Sequence, residues 1–376
     1  MDLPALAAQY RHELLANIIP FWMKHSLDRE HGGYFSCLDR DGAVFDQRKY
    51  VWMIGRQVWM LSKLYNELER NPEWLDAAAL GMRFLDRHAT NAGGRVYHSL
   101  MRQGEPALFQ RKPYSAVFLA LAHNEYGRAT GDAARHGQAR QLFAKIRHWI
   151  AHPAELGRPT YGAKPISQLA DIYVTAFLAG ELNEPEHIPQ CLDQLAHHYD
   201  PARKILRENA LIADSPEARQ FCPGSVFEIG WILLRQTQDP VQRQKILEAM
   251  AAAHEQGWDQ EYGGYYYFLD VESRPPLMLE WSMKLWWPHV EALTAFAVAY
   301  QSTQDKTWLK RFKQVHDYTW SHFPDPPHGE WFAYLDRRGQ PTHHLKGGPY
   351  KCCFHVPRAL WLISRIFEAP AQKLPD

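Results

Sequence analysis

The chain has no charge excess of either sign: 42 lysines and arginines face 42 aspartates and glutamates. No basic run interrupts that balance, so a nucleic-acid-binding role lacks its electrostatic footprint. Cysteine is scarce and unpatterned. The five residues (Cys37, Cys191, Cys222, Cys352 and Cys353) form no C-x-x-C pair, and two of them are adjacent. This disfavours both a zinc ribbon and a disulfide framework, making the cytoplasm the expected compartment. No apolar run reaches the length of a membrane span, and the N-terminal MDLPALAAQYRHELL lacks a signal-peptide pattern, so no membrane association is expected. HExxH, Walker, GxGxxG and GxSxG motifs are missing, which removes the usual signatures of metalloproteases, nucleotide and dinucleotide binders and esterases. The histidines show no metal-ligand spacing. Neither a metal nor a cofactor is expected.

What is abundant is aromatic and imidazole side chains, with 14 tryptophans and 20 histidines in 376 residues. Tryptophan and tyrosine suit stacking on sugar rings as well as packing between helices. The length is compatible with several domains, but closed barrels and toroids reach it as one unit.

A repeated phrase sets the architecture. DREHGGYFSCLDRDG from Asp28 returns as DQEYGGYYYFLDVES from Asp259 and DPPHGEWFAYLDRRG from Asp325, with a degenerate copy, AGGRVYHSLMRQG, over Ala92 to Gly104. Each has a turn, a glycine-rich corner, an aromatic strand-like run and a charged turn, and reads as a short β-hairpin. Spacings near sixty residues or multiples of it imply an internal repeat. Between the copies, apolar residues recur at helical spacing over Val51–Glu69, around Phe118–Tyr126, over Val226–Arg235 and over Glu280–Tyr300, the last expected to bend at Pro288. Two helices per unit and about six units give an all-α, (α/α)6 barrel as one domain over residues 1–376, with hairpins on one rim. Asp214–Arg219 reads as a loop.

Four segments carry the reactive side chains. In KYVWMIGRQVW, Arg56 sits one helical turn from Trp52 and Trp59. It is either an anchor for sugar hydroxyls or an oxyanion, or half of a structural ion pair, since an unpaired buried guanidinium is costly. In FCPGSVFEIGW, Ser225 and Glu228 read first as a capping box, with a pocket-facing pair as the alternative. In LEWSMKLWWPHVEAL, Glu280, Lys284, Trp287 and Glu291 would share one helical face, as a polar pocket wall or a solvated stripe, with His289 off it. In KGGPYKCCFHVPR, His355 stands in an apolar frame behind Tyr350 and Lys351, as a proton-transferring base or as a packed histidine.

The phrases GRQVW, PG-x-x-x-E-x-GW, LEWSMKLWWPH-x-EA and KGGP-x-K-x-CFHVPR, in this order, resemble the N-acylglucosamine 2-epimerase family from about Phe21 to Arg358. The resemblance implies an (α/α)6 barrel and a small-molecule sugar as substrate. The expected activity is epimerisation or isomerisation of an open-chain sugar by proton transfer at C2 through an enediolate. It implies that His355 is one of two acid/base histidines and that Arg358 follows it in the pocket. Arg56 would stabilise the enediolate oxygen, Glu228 would bind sugar and assist the partner histidine, and Trp287 and Glu291 would form pocket wall. Family members are often dimers, so a homodimer is among the expectations. This chain departs from the family at one position: relatives read PGH-x-x-E, and here Ser225 stands where the second histidine belongs. A serine hydroxyl shuttles no proton at neutral pH without a base of its own. Three alternatives follow: a one-base aldose–ketose isomerase, an epimerase whose second proton comes from His289 or from water held by Ser225 and Glu228, or a non-catalytic binder. Glycoside hydrolysis by two of Glu228, Glu280 and Glu291 is the reading from another reaction class.

Overall fold

The computed structural model describes residues 1–161, 164–211 and 214–368. Two short helices, α1 (Leu3–Glu13) and α2 (Ile19–His25), are joined end to end by a π-helical segment, Leu14–Ile18. Helices then follow in pairs: α3 (Val51–Glu67) and α4 (Pro72–His88), α5 (Tyr114–Thr130) and α6 (Ala133–Ala151), α7 (Leu169–Leu182) and α8 (Ile188–His198). The remainder are α9 (Pro223–Leu234) and α10 (Pro240–Gly257), α11 (Trp286–Thr303) and α12 (Lys306–His322), and finally α13 (His355–Glu368).

Burial sorts them into two layers. Helices α3, α5, α7, α9, α11 and α13 are buried on almost every face and pack in that order, while α4, α6, α8, α10, α12 and α1 each cover one of them. The covering helices are amphipathic in the expected way. In α12, Trp308, Phe312, Val315 and Tyr318 form the inward stripe and lysines take the other face. Their starts are written in the sequence: Asn71, Asp132, Asp239 and Asp305 each cap a first turn through the side chain. The ring closes where Trp59 of α3 meets Phe354 beside α13, with ring centroids 5.5 Å apart, and where Glu67 pairs with Arg365. Among the described residues this is a ring of six inner and six outer helices, the (α/α)6 barrel. No helix among them is long and apolar enough to cross a membrane.

The repeated phrase forms the connections at one end of the barrel. Each corner is closed by a single bridge, Leu27–Tyr34, Trp258–Tyr265 or Pro324–Trp331, around glycines in the left-handed region such as Gly263 and Gly264. The aromatic runs do not all fold back on themselves as hairpins. Cys37–Leu38 pairs locally with Val44–Asp46, but Leu269–Asp270 pairs with Gln220–Phe221, and Tyr334–Leu335 with Lys284–Leu285. Neighbouring units are thus stitched together by short antiparallel pairs. The leading aspartate of each of the three full copies is the centre of a buried ion cluster. Asp28 accepts from Lys49 (2.8 Å) and Arg102 (3.0 Å), Asp259 from Lys284 (3.0 Å) and Arg337 (2.9 Å), and Asp325 from Lys346 (2.7 Å) and Arg40 (2.8 Å). The arginine always comes from another copy. Arg40 of the first copy reaches Asp325 of the last, so the clamps also tie the two ends of the chain together.

Two expected helix features are corrected. Glu280 to Leu285 is not helical: Lys284–Leu285 is a strand, and α11 begins only at Trp286. Pro288 therefore sits in the first turn, where its missing N–H breaks no hydrogen bond and no bend is required. Likewise the N-cap of α9 is Cys222, without a side-chain cap, and Ser225 is the third helical residue. Ser225 and Glu228 form no capping box. Their spacing places them on one face of α9, one turn apart.

Candidate active site

A cavity of about 640 Å³ opens at the end of the barrel where the inner helices begin. Each inner helix contributes from its first turns: Trp52, Tyr114, Ala170, Glu228, Trp286 and His355. Arg56 lies one turn further in on α3, and Trp287, Tyr267, Tyr334, Tyr350 and Glu280 complete the walls and rim. Size, aromatic lining and a few converging polar groups are those of a small-molecule site.

His355 is the first residue of α13, and the loop before it is held from behind. Lys351 is buried and donates to Glu330 (3.0 Å) and to the carbonyls of Lys346 (2.9 Å) and Trp331. Gly347 packs so closely that a Cβ there would sit 2.1 Å from the Ser36 carbonyl oxygen, which accounts for half of the glycine pair. The imidazole is oriented by Nδ1, 2.8 Å from Oε1 of Glu291, which also accepts from the Trp231 indole through Oε2 (2.8 Å). That contact assigns the proton to Nδ1 and leaves Nε2 as the basic nitrogen. Trp287 and Trp286 flank the ring at 6.0 and 6.5 Å. Burial pushes the His355 pKa well below the ordinary histidine value. Glu228 opposes that shift, and Arg56 and Arg358 reinforce it. The ring is thereby neutral, as a base must be. The acidic limb of kcat/KM should accordingly fall below about pH 6.5, the unperturbed value, and a pH–rate profile checks this. A midpoint at or above 6.5 would assign the limb to another group.

Glu228, Glu291 and His355 place their ligand atoms within 4.8 Å of one another, a grouping that could hold a metal ion. The positive charge among them is Arg358, whose Nη2 lies 2.7 Å from Glu228 and 2.6 Å from Glu291. The two carboxylates thus sit side by side on one guanidinium and do not flank an open space, which disfavours Glu228 with Glu291 as a glycosidase pair. Arg56 is the opposite case. It is buried, and its guanidinium is stacked among Trp52, Phe118 and Phe354 at 4.7, 4.2 and 4.7 Å. No carboxylate lies within ion-pair distance of it among the described residues, and its Nε is buried without a partner. The structural ion pair considered for Arg56 is absent there, and this cation is presented to the cavity.

The remaining expected site residues divide. Trp287, Tyr350 and Glu280 line the cavity, with Tyr350 and Glu280 at its exposed rim. Glu291 and Arg358 lie behind His355 and Glu228 and support them. Trp59 is not part of this cavity: it lines a separate one at the other end of the barrel and donates to Glu181 (2.9 Å). Two turns of α3 separate it from Trp52, which explains the misplacement. Lys351 is a loop anchor, as described above. Lys284, read as part of the same stripe, is a buried clamp residue. His289 is sealed in the core: Nδ1 donates to the Leu285 carbonyl (2.6 Å), and Nε2 accepts from the Tyr265 N–H (3.0 Å). It supplies no proton to the cavity. Sequence reasoning missed Tyr114, Tyr267, Tyr334 and His343 as lining residues. The pattern that finds Tyr114 is its place at the start of an inner helix; Tyr267 and Tyr334 lie in the aromatic runs of the copies beginning at Asp259 and Asp325, and His343 lies on a connection with no local signature.

The family model for N-acylglucosamine 2-epimerase (GlcNAc 2-epimerase) matches residues 33–173 and 185–359. The chain is 39% identical to the mouse (Mus musculus) N-acylglucosamine 2-epimerase, over 96% of this chain and 91% of that protein. Its fold is similar to that of a cellobiose 2-epimerase from Bacillus thermoamylovorans, with a TM-score of 0.82 at 22% identity over 97% of this chain and all of the other. A D-mannose isomerase superposes with a TM-score of 0.81 at 17% identity, over 95% of this chain and 97% of that one. The chain belongs to the N-acylglucosamine 2-epimerase family.

Proposed function

We propose that the protein inverts C2 of an open-chain N-acylhexosamine, or of a closely related aldose, by removing and returning the C2 proton. The observation that carries this reading is a neutral His355, oriented by Glu291, lining the same cavity as the carboxylate-free Arg56. His355 Nε2 takes the proton from C2. The C–H electron pair becomes the C1=C2 bond, and the carbonyl pair moves onto O1. A fixed guanidinium in a partly dry site is suited to stabilise that oxyanion. The choice of an N-acylated sugar rests on the 39% identity to the mouse enzyme.

Ser225, in place of a second imidazole, favours one further reading: His355 alone moves the proton between C1 and C2, and the product is a ketose. Incubation with N-acetylglucosamine, N-acetylmannosamine, mannose or cellobiose in heavy water separates these. NMR should show deuterium entering C2 together with the C2 epimer; a ketose product would identify the isomerase. Absence of both deuterium incorporation and product with every sugar would overturn the reading.

A further inference from the structure

Inversion at C2 needs a proton delivered from the face opposite the one attacked by His355. Along α9 from Pro223 to Leu234, every residue is buried except Ser225, which is half-exposed. It stands one turn before Glu228, a cavity-lining residue on the same face. Glu208 immediately precedes the strand Asn209–Ala210, and its carboxyl lies near Ser225 and near Glu228, Tyr114 and Tyr267, three residues that line the cavity. Glu208 Oε2 is buried and has no hydrogen-bond partner among the described residues. A carboxylate oxygen left in that state is costly, whereas a carboxylic acid with a hydroxyl beside it is not.

The surroundings of Glu208 fit the protonated form. Burial raises its pKa above the ordinary carboxylate range; the Ser225 hydroxyl and, more distantly, Lys112 oppose the rise, and Glu228 adds to it. The other titratable groups facing it are Tyr114 of α5, Cys222 at the start of α9 and Tyr267. No arginine is among them, in contrast to Glu228 and Glu291. His343, the other imidazole on the cavity wall, is on the wrong side. Its ring packs on Tyr334 (5.0 Å), Tyr334 packs on Trp286 (5.4 Å), and Trp286 packs on His355.

We infer that Ser225 and Glu208 together form the second proton relay of this enzyme, taking the place of the family's second histidine. The inference rests on the function proposed above. In the return step, the enediolate carbon takes the hydroxyl proton of Ser225 as the C1 carbonyl re-forms. Ser225 Oγ recovers a proton from the Glu208 carboxylic acid, and the negative charge ends on Glu208. Proton exchange with water then resets the imidazolium of His355 and the carboxylate of Glu208.

The test follows N-acetylmannosamine in heavy water with the full-length protein. Ser225→Ala and Glu208→Gln should each lower inversion by roughly 10²–10⁴-fold, the range for losing one general acid or base. Deuterium exchange at C2 with retained configuration, the half-reaction of His355, should persist near the wild-type rate and also serves as the check on folding. Glu208→Gln should erase the alkaline limb of the inversion profile in the direction where Glu208 donates. Ser225→His should restore inversion even in the presence of Glu208→Gln, because the imidazole no longer needs the carboxyl. Wild-type inversion in both single variants overturns the relay, as does loss of exchange along with inversion in a variant whose thermal midpoint matches the wild type, or His343→Asn being the variant that abolishes inversion. A wild-type protein that neither exchanges nor inverts removes the proposed function itself, and so fails in a way distinct from failure of the relay alone.

Discussion

His355→Asn is expected to abolish C2 chemistry in both its forms, exchange and inversion, while leaving the fold intact. Removing a general base costs about 10²–10⁴-fold, and with N-acetylmannosamine, the sugar from which His355 takes the C2 proton in this scheme, both exchange and inversion begin at this ring and should be lost together. Asparagine keeps an amide N–H that can donate to Glu291, so the buried carboxylate is not stripped of that partner; Arg358 and the Trp231 indole hold it in any case. The thermal midpoint should move by no more than a few degrees, in line with about 1 kcal/mol. Glu291→Gln leaves the ring in place but weakens its orientation, so its rate should fall between the wild type and His355→Asn. The readout is the C2 proton signal in heavy water. Exchange at the wild-type rate in His355→Asn would assign the base elsewhere and would undo the mechanism.

The architecture was legible because its signals are periodic. The copies beginning at Asp28, Asp259 and Asp325 mark the connections, and between them the apolar spacing marks helices. What failed was local. The run Glu280, Lys284, Trp287, Glu291 has helical spacing, but Lys284 is drawn into the clamp with Asp259 and its strand pairs with Tyr334–Leu335, so the helix starts only at Trp286. Tertiary pairing overrode the pattern. The site shows the same division. Arg56, Glu228, Trp287 and His355 converge on one cavity because each lies near the start of an inner helix, a regularity that the repeat implies. Trp59 has an equally suggestive neighbourhood in sequence but sits two turns along α3, and a linear motif does not say which end of a barrel it serves. Lys351 beside His355 looked like chemistry and is instead the peg that fixes the loop. Glu208 was invisible in the sequence, because nothing near it in the chain predicts that its carboxyl lies buried near Ser225 across the connection.

Asp259→Asn is expected to be among the most destabilising single changes available in this protein, by about 3–5 kcal/mol, the usual cost of removing one partner from a buried pair. The pair is sealed: the side chains of Asp259 and Lys284 are 1% and 0% exposed. Burial alone would raise the Asp259 pKa, but hydrogen bonds from Arg337 and Lys284 outweigh it and hold the carboxyl well below the usual range. Burial pushes Lys284 down to about 8 despite its partner. The signs then set the pH dependence. A depressed Asp259 contributes stability that is fully present above the unfolded carboxylate value near 3.9 and is lost as pH falls through its folded value. The same dependence holds at Asp28 and Asp325, whose pKa values are likewise lowered. In Asp259→Asn, the ammonium of Lys284 loses its counter-charge, and its folded pKa should drop further. Its penalty is greatest at neutral pH and is relieved as pH rises toward the unfolded lysine value of about 10.4. The thermal deficit of the variant should therefore be larger at pH 7 than at pH 9. Replacing both groups at once, Asp259→Leu with Lys284→Met, should recover much of the loss, since an apolar pair leaves no buried charge unmatched. A deficit that is the same at both pH values, and that the double replacement does not relieve, would mean that the corner's backbone turn, held by Asp259 accepting from the N–H of Glu261 (3.0 Å), matters more than the ion pair.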